Sequence, residues 1–412
     1  MPTLIKNIKE LVGTRNESKP LRGAALREQP SIVDAWLLLE EAAISDYGSM
    51  SSIPASLANH PSIDATGCFV LPAWCDSHTH LVFAGSRENE FVDKIRGLSY
   101  AGINEKGGGI LNSAKKLEQA SEDELFNMAW SRLQEIARLG TAAVEIKSGY
   151  GLSLEGELKM LRVIKKLKER SSLSIKATYL GAHSYPEAFR NNHQGFIDLI
   201  IREMLPVIAH EKLADFIDVF CEKGFFSVEE METICRAGMA YGLRAKLHVN
   251  QLNSIGGVAA GIGLNALSLD HLETMTPEDI SLLGKSATIG TLLPSAAFFL
   301  RMGYQPAREL IEEGAAIALA SDYNPGSSPS GNMNLVISLA CIQMKMLPEE
   351  AIQAATLNGA YAMGLGEETG SITRGKKANL LITRPIPSLA YLPYAFGTNL
   401  IDKVMINGEF IH

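Results

Sequence analysis

Residues 69–83 read FVLPAWCDSHTHLVF, an almost unbroken apolar run that carries two histidines, His78 and His80, separated by Thr79. A run this apolar suits a strand buried on both faces, as in a parallel sheet covered by helices. On a strand, residues i and i+2 point the same way, so His78 and His80 present two imidazoles to one side. An HxH pair alone is a weak sign of a metal site, because core histidines with satisfied hydrogen bonds are common. Its weight depends on what recurs further along the chain.

Seven more apolar runs follow, at 141–148, 175–183, 216–222, 244–250, 266–273, 287–294 and 316–323. Amphipathic stretches at 122–139, 154–170, 193–205, 228–241 and 306–313 lie between them. Eight β-like runs alternating with helical stretches predict an α/β fold, a TIM-type (β/α)8 barrel. The strand ends of such a barrel surround one mouth, where active sites lie. Of the nine histidines, His78, His80, His183, His248 and His271 fall at run ends, as does Asp322 in ALASDYN. His60, His193, His210 and His412 do not. Imidazoles and a carboxylate converging from distant strands predict a metal site.

The flanks lack this alternation. Residues 1–66 carry no clear helical period, and the tail reads as short strands, with Asn407-Gly408 between apolar runs as a hairpin signal. Neither flank is large enough to fold alone. The expectation is a small composite β-sandwich domain from 1–66 plus 376–412, beside a barrel domain at 67–375. The 412-residue chain has a formal net charge of −8 and scattered basic residues, which argues against a nucleic-acid footprint. Its five cysteines are odd in number and form no CxxC pair, which points to a reducing compartment. The N-terminus has no signal-peptide h-region, and the most apolar stretches are too short or too interrupted to span a membrane. A cytoplasmic protein without membrane or nucleic-acid partners is expected.

The segments DSHTHLVFAGSRENEF, GGGI, EIKSGYGL, LGAH, HVNQ, LDH and SDYNPGSS carry a resemblance. HxH on the first strand, histidines on the fifth and sixth, and aspartate on the eighth resemble the amidohydrolase superfamily. Over about residues 67–375 the chain is similar to the imidazolonepropionase family within it. The resemblance implies a zinc or iron ion held by His78, His80, His248 and Asp322. It implies substrate contacts from Arg87, Tyr150, His183 and Gln251, and from Asn324, Gly326 and Ser327 in the loop after Asp322. It also implies a homodimer acting on a small acidic cyclic amide, 4-imidazolone-5-propanoate, opened to N-formimidoyl-L-glutamate.

The residue chemistry agrees with these roles. Three neutral imidazoles and a carboxylate suit a borderline divalent ion, and a water in an open position would become hydroxide near neutral pH. Asp322 would shuttle its proton to the leaving ring nitrogen, and His271 would steady the attacking water or the oxyanion. Arg87 suits a substrate carboxylate, with a surface ion pair to Glu88 or Glu90 as the plain alternative. Tyr100 joins that clamp or is a core aromatic. Gly107-Gly108-Gly109 precedes a helix-like stretch and either faces an anion or is a simple loop. Gly256, Gly257, Gly261 and Gly263 read as close helix packing.

Family members often carry Glu at the position of Gln251, and Gln cannot act as a base, so proton traffic shifts to Asp322 and His271. The fourth strand ends in Cys221-Glu222, with Lys223 beyond it and no lysine placed to bridge two metals, which favours a mononuclear site. Glu222 is read as a supporting or ion-paired residue. Two other readings compete: another amidohydrolase, either an aminohydrolase of purines or pyrimidines, separable by ammonia release, or a different cyclic-amide hydrolase; and a non-catalytic barrel, which would normally have lost at least one ligand.

Overall fold

In the computed structural model, residues 2–58, 60–98 and 108–411 are described, and among them the strands form two eight-stranded sheets. Tyr100 and Gly107 lie outside the described residues. The first sheet starts with Thr3–Val12 (β1), Ser31–Glu40 (β2), Ala43–Ser49 (β3), Ser62–Asp64 (β4) and Phe69–Pro72 (β5). The barrel follows: Trp74–Thr79 (β6), Thr141–Lys147 (β7), Ser174–Ala182 (β8), Phe216–Cys221 (β9), Arg244–Val249 (β10), Ser268–His271 (β11), Ile289–Leu292 (β12) and Ala316–Leu319 (β13). Leu380–Thr383 (β14), Ile401–Ile406 (β15) and Glu409–Phe410 (β16) then return to the first sheet.

The eight barrel strands pair in sequence order, all parallel, as the apolar runs predict. Every residue of β7 and β9 is buried, because helices cover the outside and side chains fill the inside. The helices Glu122–Arg138 and Val228–Ala240 each start at a capping box, Ser121 with Glu124 and Ser227 with Glu230. The expected helix at 193–205 runs instead through His193–Leu199, a π turn at Ile200–Met204 and Leu205–Glu211. Among the described residues, no helix is long and apolar enough to cross a membrane.

The run 69–83 divides between the two sheets. β5 pairs with β1 and β14, whereas β6 begins the barrel after Ala73. The chain-end strands form the expected separate sheet from both ends of the chain, hydrogen-bonded as one continuous sheet that curls on itself. Ile44 N–H donates to the Lys376 carbonyl at 2.8 Å and Gly375 N–H to the Ile44 carbonyl at 2.8 Å, which joins β3 to the segment entering β14. The curl encloses a core of Ile5, Ile8, Leu37, Val70, Leu380 and Met405. Asn407 and Gly408, both at positive φ, make the two-residue turn between β15 and β16.

The two sheets touch at Gly140, in the turn into β7. Its φ is +110°, and a Cβ there would fall 3.0 Å from the side chains of Trp74 and Leu381. Gly140→Ala is therefore expected to cost about 1–3 kcal/mol from backbone strain. A lower urea midpoint checks this; an unchanged midpoint would show that the junction yields without cost.

Candidate metal centre and active site

The barrel closes between β6 and β13, and the closing bonds run through the predicted site. Asp322 N–H donates to the His78 carbonyl at 3.0 Å, and His80 N–H to the Tyr323 carbonyl at 2.9 Å. The carboxylate of Asp76 accepts from Ser321 N–H at 2.9 Å and from its hydroxyl. Past Leu319 the regular ladder gives way: Ser321 N–H turns to Asp76 and Tyr323 N–H to Ser321 Oγ, Asp322 N–H crosses to β6, and Asp322 takes φ +54°. His271 and Leu272, at φ +85° and +67°, bend the chain out of β11 in the same way.

The structure brings His78, His80, His183, His248, His271 and Asp322 together. His78 Nδ1 lies 2.7 Å from Asp270 Oδ2, and His248 Nδ1 lies 2.8 Å from Asp218 Oδ2. A carboxylate at Nδ1 fixes the proton there and leaves Nε2 for a metal. Asp322 Oδ1 stands 3.5 Å from His78 Nε2 and 3.6 Å from His80 Nε2. Two sets of donor atoms lie within 4.8 Å of one another: His78, His248 and His271, and His78, His80 and Asp322. The expected quartet is thus spread over both sets, with His78 common to them and His271 as near as His248. Among the described residues, His78 Nε2 is buried with no hydrogen-bond partner. An orphaned buried nitrogen among imidazole and carboxylate donors fits a divalent cation.

Burial, reinforced by Lys147 and the neighbouring imidazoles, holds His78 well below the ordinary histidine pKa; burial and the adjacent histidines do the same for His80 and His248. All three are neutral near pH 7, the state a metal requires. Burial also pushes the Asp322 carboxyl up to about 6, against the pull of His271 and Ser327. A cation beside it would draw that value down again. His271 behaves oppositely to the other histidines: burial alone would lower it, but Glu273, 3.4 Å from its Nδ1, and Asp322 raise it.

A cavity of about 350 Å³ opens over these residues, lined by His80, His183, His248, His271, Asp322 and Gln251 and by Arg87, Tyr150, Asn324, Gly326 and Ser327. Arg87 Nε donates to Ser113 Oγ at 2.9 Å, while its Nη2 is buried and unpartnered among the described residues. Glu90 is occupied elsewhere, accepting from Gly109 N–H and Asn112. Gly109 therefore lines the cavity with its N–H already used. A Cβ at Gly326 would collide with Arg87 Nη1, so this glycine makes room for the guanidinium. Asn324 spends its amide inside its own loop, on Gly326 N–H, Ser327 N–H and the Asp322 carbonyl. His183 Nδ1 is 2.9 Å from the Gly149 carbonyl, and burial lowers its pKa to about 4, so it faces the cavity uncharged.

Several supporting residues were not singled out from sequence. Glu157 accepts from the N–H groups of Gly149, Gly151 and Leu152 and so holds the loop of Tyr150. Glu222, read as a supporting residue, accepts from Leu252 N–H and Asn253 N–H and pins the loop of Gln251. Asp218 and Asp270 had a visible signal, a carboxylate inside an apolar strand run. Gly257 and Gly261 do pack closely, against Val249 and Leu269, whereas Gly256 serves as a left-handed helix cap and a Cβ at Gly263 would find open space among the described residues.

The amidohydrolase family profile matches residues 69–411. An imidazolonepropionase of Flavobacterium johnsoniae is 59% identical over 412 residues, covering 100% of both chains. One from Thermoanaerobacter pseudethanolicus is 42% identical over 403 residues, covering 98% of this chain and 96% of that one. Among solved structures, a guanine deaminase from C. acetobutylicum superposes with TM-score 0.72 at 17% identity, over 100% of both chains. A 5-methylcytosine deaminase from Klebsiella pneumoniae gives 0.74 at 16%, over 100% of this chain and 98% of that one, and likenesses this remote speak for the fold alone. With the family profile spanning the barrel and full-length relatives at such identity, the chain belongs to the amidohydrolase family and, within it, to the imidazolonepropionases.

Proposed function

We propose that the chain hydrolyses the ring C–N bond of 4-imidazolone-5-propanoate to N-formimidoyl-L-glutamate in histidine degradation, with one zinc or iron ion held by His78, His80, His248 and Asp322. The observation that carries this reading is one cavity lined both by metal-ready donors and by Arg87, whose buried Nη2 has no hydrogen-bond partner among the described residues. A substrate carrying a ring carbonyl and a side-chain carboxylate matches both. When bound, the ion polarises the ring carbonyl and makes water nucleophilic near neutral pH.

The chain's own groups supply the rest. Arg87, fixed by Ser113, clamps the propanoate, and Tyr150 and His183 border the ring. Gly326 and Ser327 border the same end of the cavity, and Asn324 shapes their loop. Gln251 orients the substrate through its amide and takes no proton. Asp322 receives the proton of the attacking water and returns it to the leaving ring nitrogen. His271, its charge favoured by Glu273, donates to the oxyanion as it develops. Five free thiols suit a reducing, cytoplasmic compartment, and the likeness to the imidazolonepropionases implies a homodimer.

The deciding experiment sets ring opening of the imidazolone against ammonia release from guanine, adenosine and cytosine; ammonia release alone would overturn the proposal. Asp322→Asn is expected to lower kcat by about 10³-fold, within the usual range for a positioned acid–base group. A near-wild-type rate would sink the shuttle. Arg87→Met is expected to raise KM by about 10–100-fold, the worth of a charge-assisted hydrogen bond, with a smaller change in kcat. An unchanged KM would move the carboxylate clamp elsewhere. Chelation should abolish turnover and zinc or iron restore it, whereas turnover indifferent to chelator would remove the metal from the scheme.

A further inference from the structure

Beneath the metal-facing histidines lies a closed layer of charge. Glu145 and Lys147 on β7, Asp218 on β9, Lys246 on β10 and Asp270 on β11 are all at most 1% exposed. Burying a charge costs several kcal/mol unless it is well paired, and an apolar side chain fills a barrel interior at no such cost. Three carboxylates and two ammonium groups therefore call for a role beyond packing.

The two lysines differ in what they touch. Lys147 Nζ is 2.9 Å from Asp218 Oδ2 and 3.4 Å from Asp270 Oδ2, besides 2.6 Å from Glu145. Those two oxygens are the same atoms that face His248 Nδ1 and His78 Nδ1. Lys246 Nζ instead binds Ser268 Oγ at 2.7 Å, the Ala362 carbonyl at 2.8 Å and Glu145 at 3.0 Å, and stands 3.9 Å from Asp270.

We propose that Lys147 is a positioning residue for metal retention, one ammonium clamping both carboxylates that orient His78 and His248. With the ammonium gone, Asp218 and Asp270 would face each other as like charges across the vacated space. They would turn apart and release the two rings from their settings. Partners of metal ligands are worth about 10–100-fold in metal affinity. The inference rests on these histidines holding a metal. Its test reads metal loss without substrate, so its failure is distinct from failure of the substrate assignment.

The zinc-loaded protein is mixed with excess chromogenic chelator and the rate of zinc transfer is followed. Lys147→Met is expected to release zinc about 10–100-fold faster than wild type. Lys246→Met, which removes the same charge from the same layer but leaves Lys147 on both carboxylates, is expected to release it far more slowly than Lys147→Met. A wild-type rate for Lys147→Met would overturn the proposal, as would equal acceleration by both variants, which would mark a general loosening of the barrel. Should Lys147→Met fail to fold, the double variant Glu145→Gln with Lys147→Met keeps the layer's net charge and decides the matter. Fast release supports the clamp, and wild-type retention refutes it.

Discussion

A hydrogen bond from a group that must not move to a buried carboxylate recurs throughout the barrel mouth. Parallel strands end there with backbone donors that no neighbouring strand can satisfy. Asp76 takes those of Ser321, Glu157 those of Gly149, Gly151 and Leu152, and Glu222 those of Leu252 and Asn253. Asp218 and Asp270 do the same for imidazole nitrogens. Each such bond is worth about 1.5–3 kcal/mol. That is the scale of the strain in left-handed backbone at Leu152, His271, Leu272 and Asp322, about 1–3 kcal/mol per residue. The mouth holds its bent geometry because these bonds offset that strain.

The seam of the barrel and the candidate metal donors are one structure. β6 and β13 meet through the backbones of His78, His80, Asp322 and Tyr323 rather than through a long ladder. Closing the barrel therefore sets the spacing of three expected ligands at once. Ser327 adds a hydrogen bond to Asp322 Oδ2 at 3.0 Å, which ties the following loop to the same point.

How much of this the sequence discloses depends on how local each signal is. His78 and His80 are legible because their facing follows from a two-residue period within one strand. His183, His248, His271 and Asp322 are legible because a parallel barrel puts all strand ends on one rim. The partners of Lys147 are not: Asp218 lies 71 residues away, and only the folded register brings it to 2.9 Å. The individual strands within residues 1–66 were hidden for another reason. Asn7 and Asp34 sit at positive φ within β1 and β2, and the β1–β2 register slips between Ile5 and Ile8, so the alternation breaks. The helix Met333–Met344 was missed because it is apolar on nearly every side, which erases its period.

The divided run at 69–83 has a consequence for how the protein is made. β5 needs β14 as its neighbour, yet Leu380 is synthesised roughly 300 residues after Pro72. At about 5–20 residues per second, the ribosome leaves that apolar strand edge open for roughly 15–60 seconds. An open edge is a template for pairing with another chain. The nascent protein is thus most exposed to aggregation while its barrel is emerging, and the last strands to appear are the ones that end the hazard.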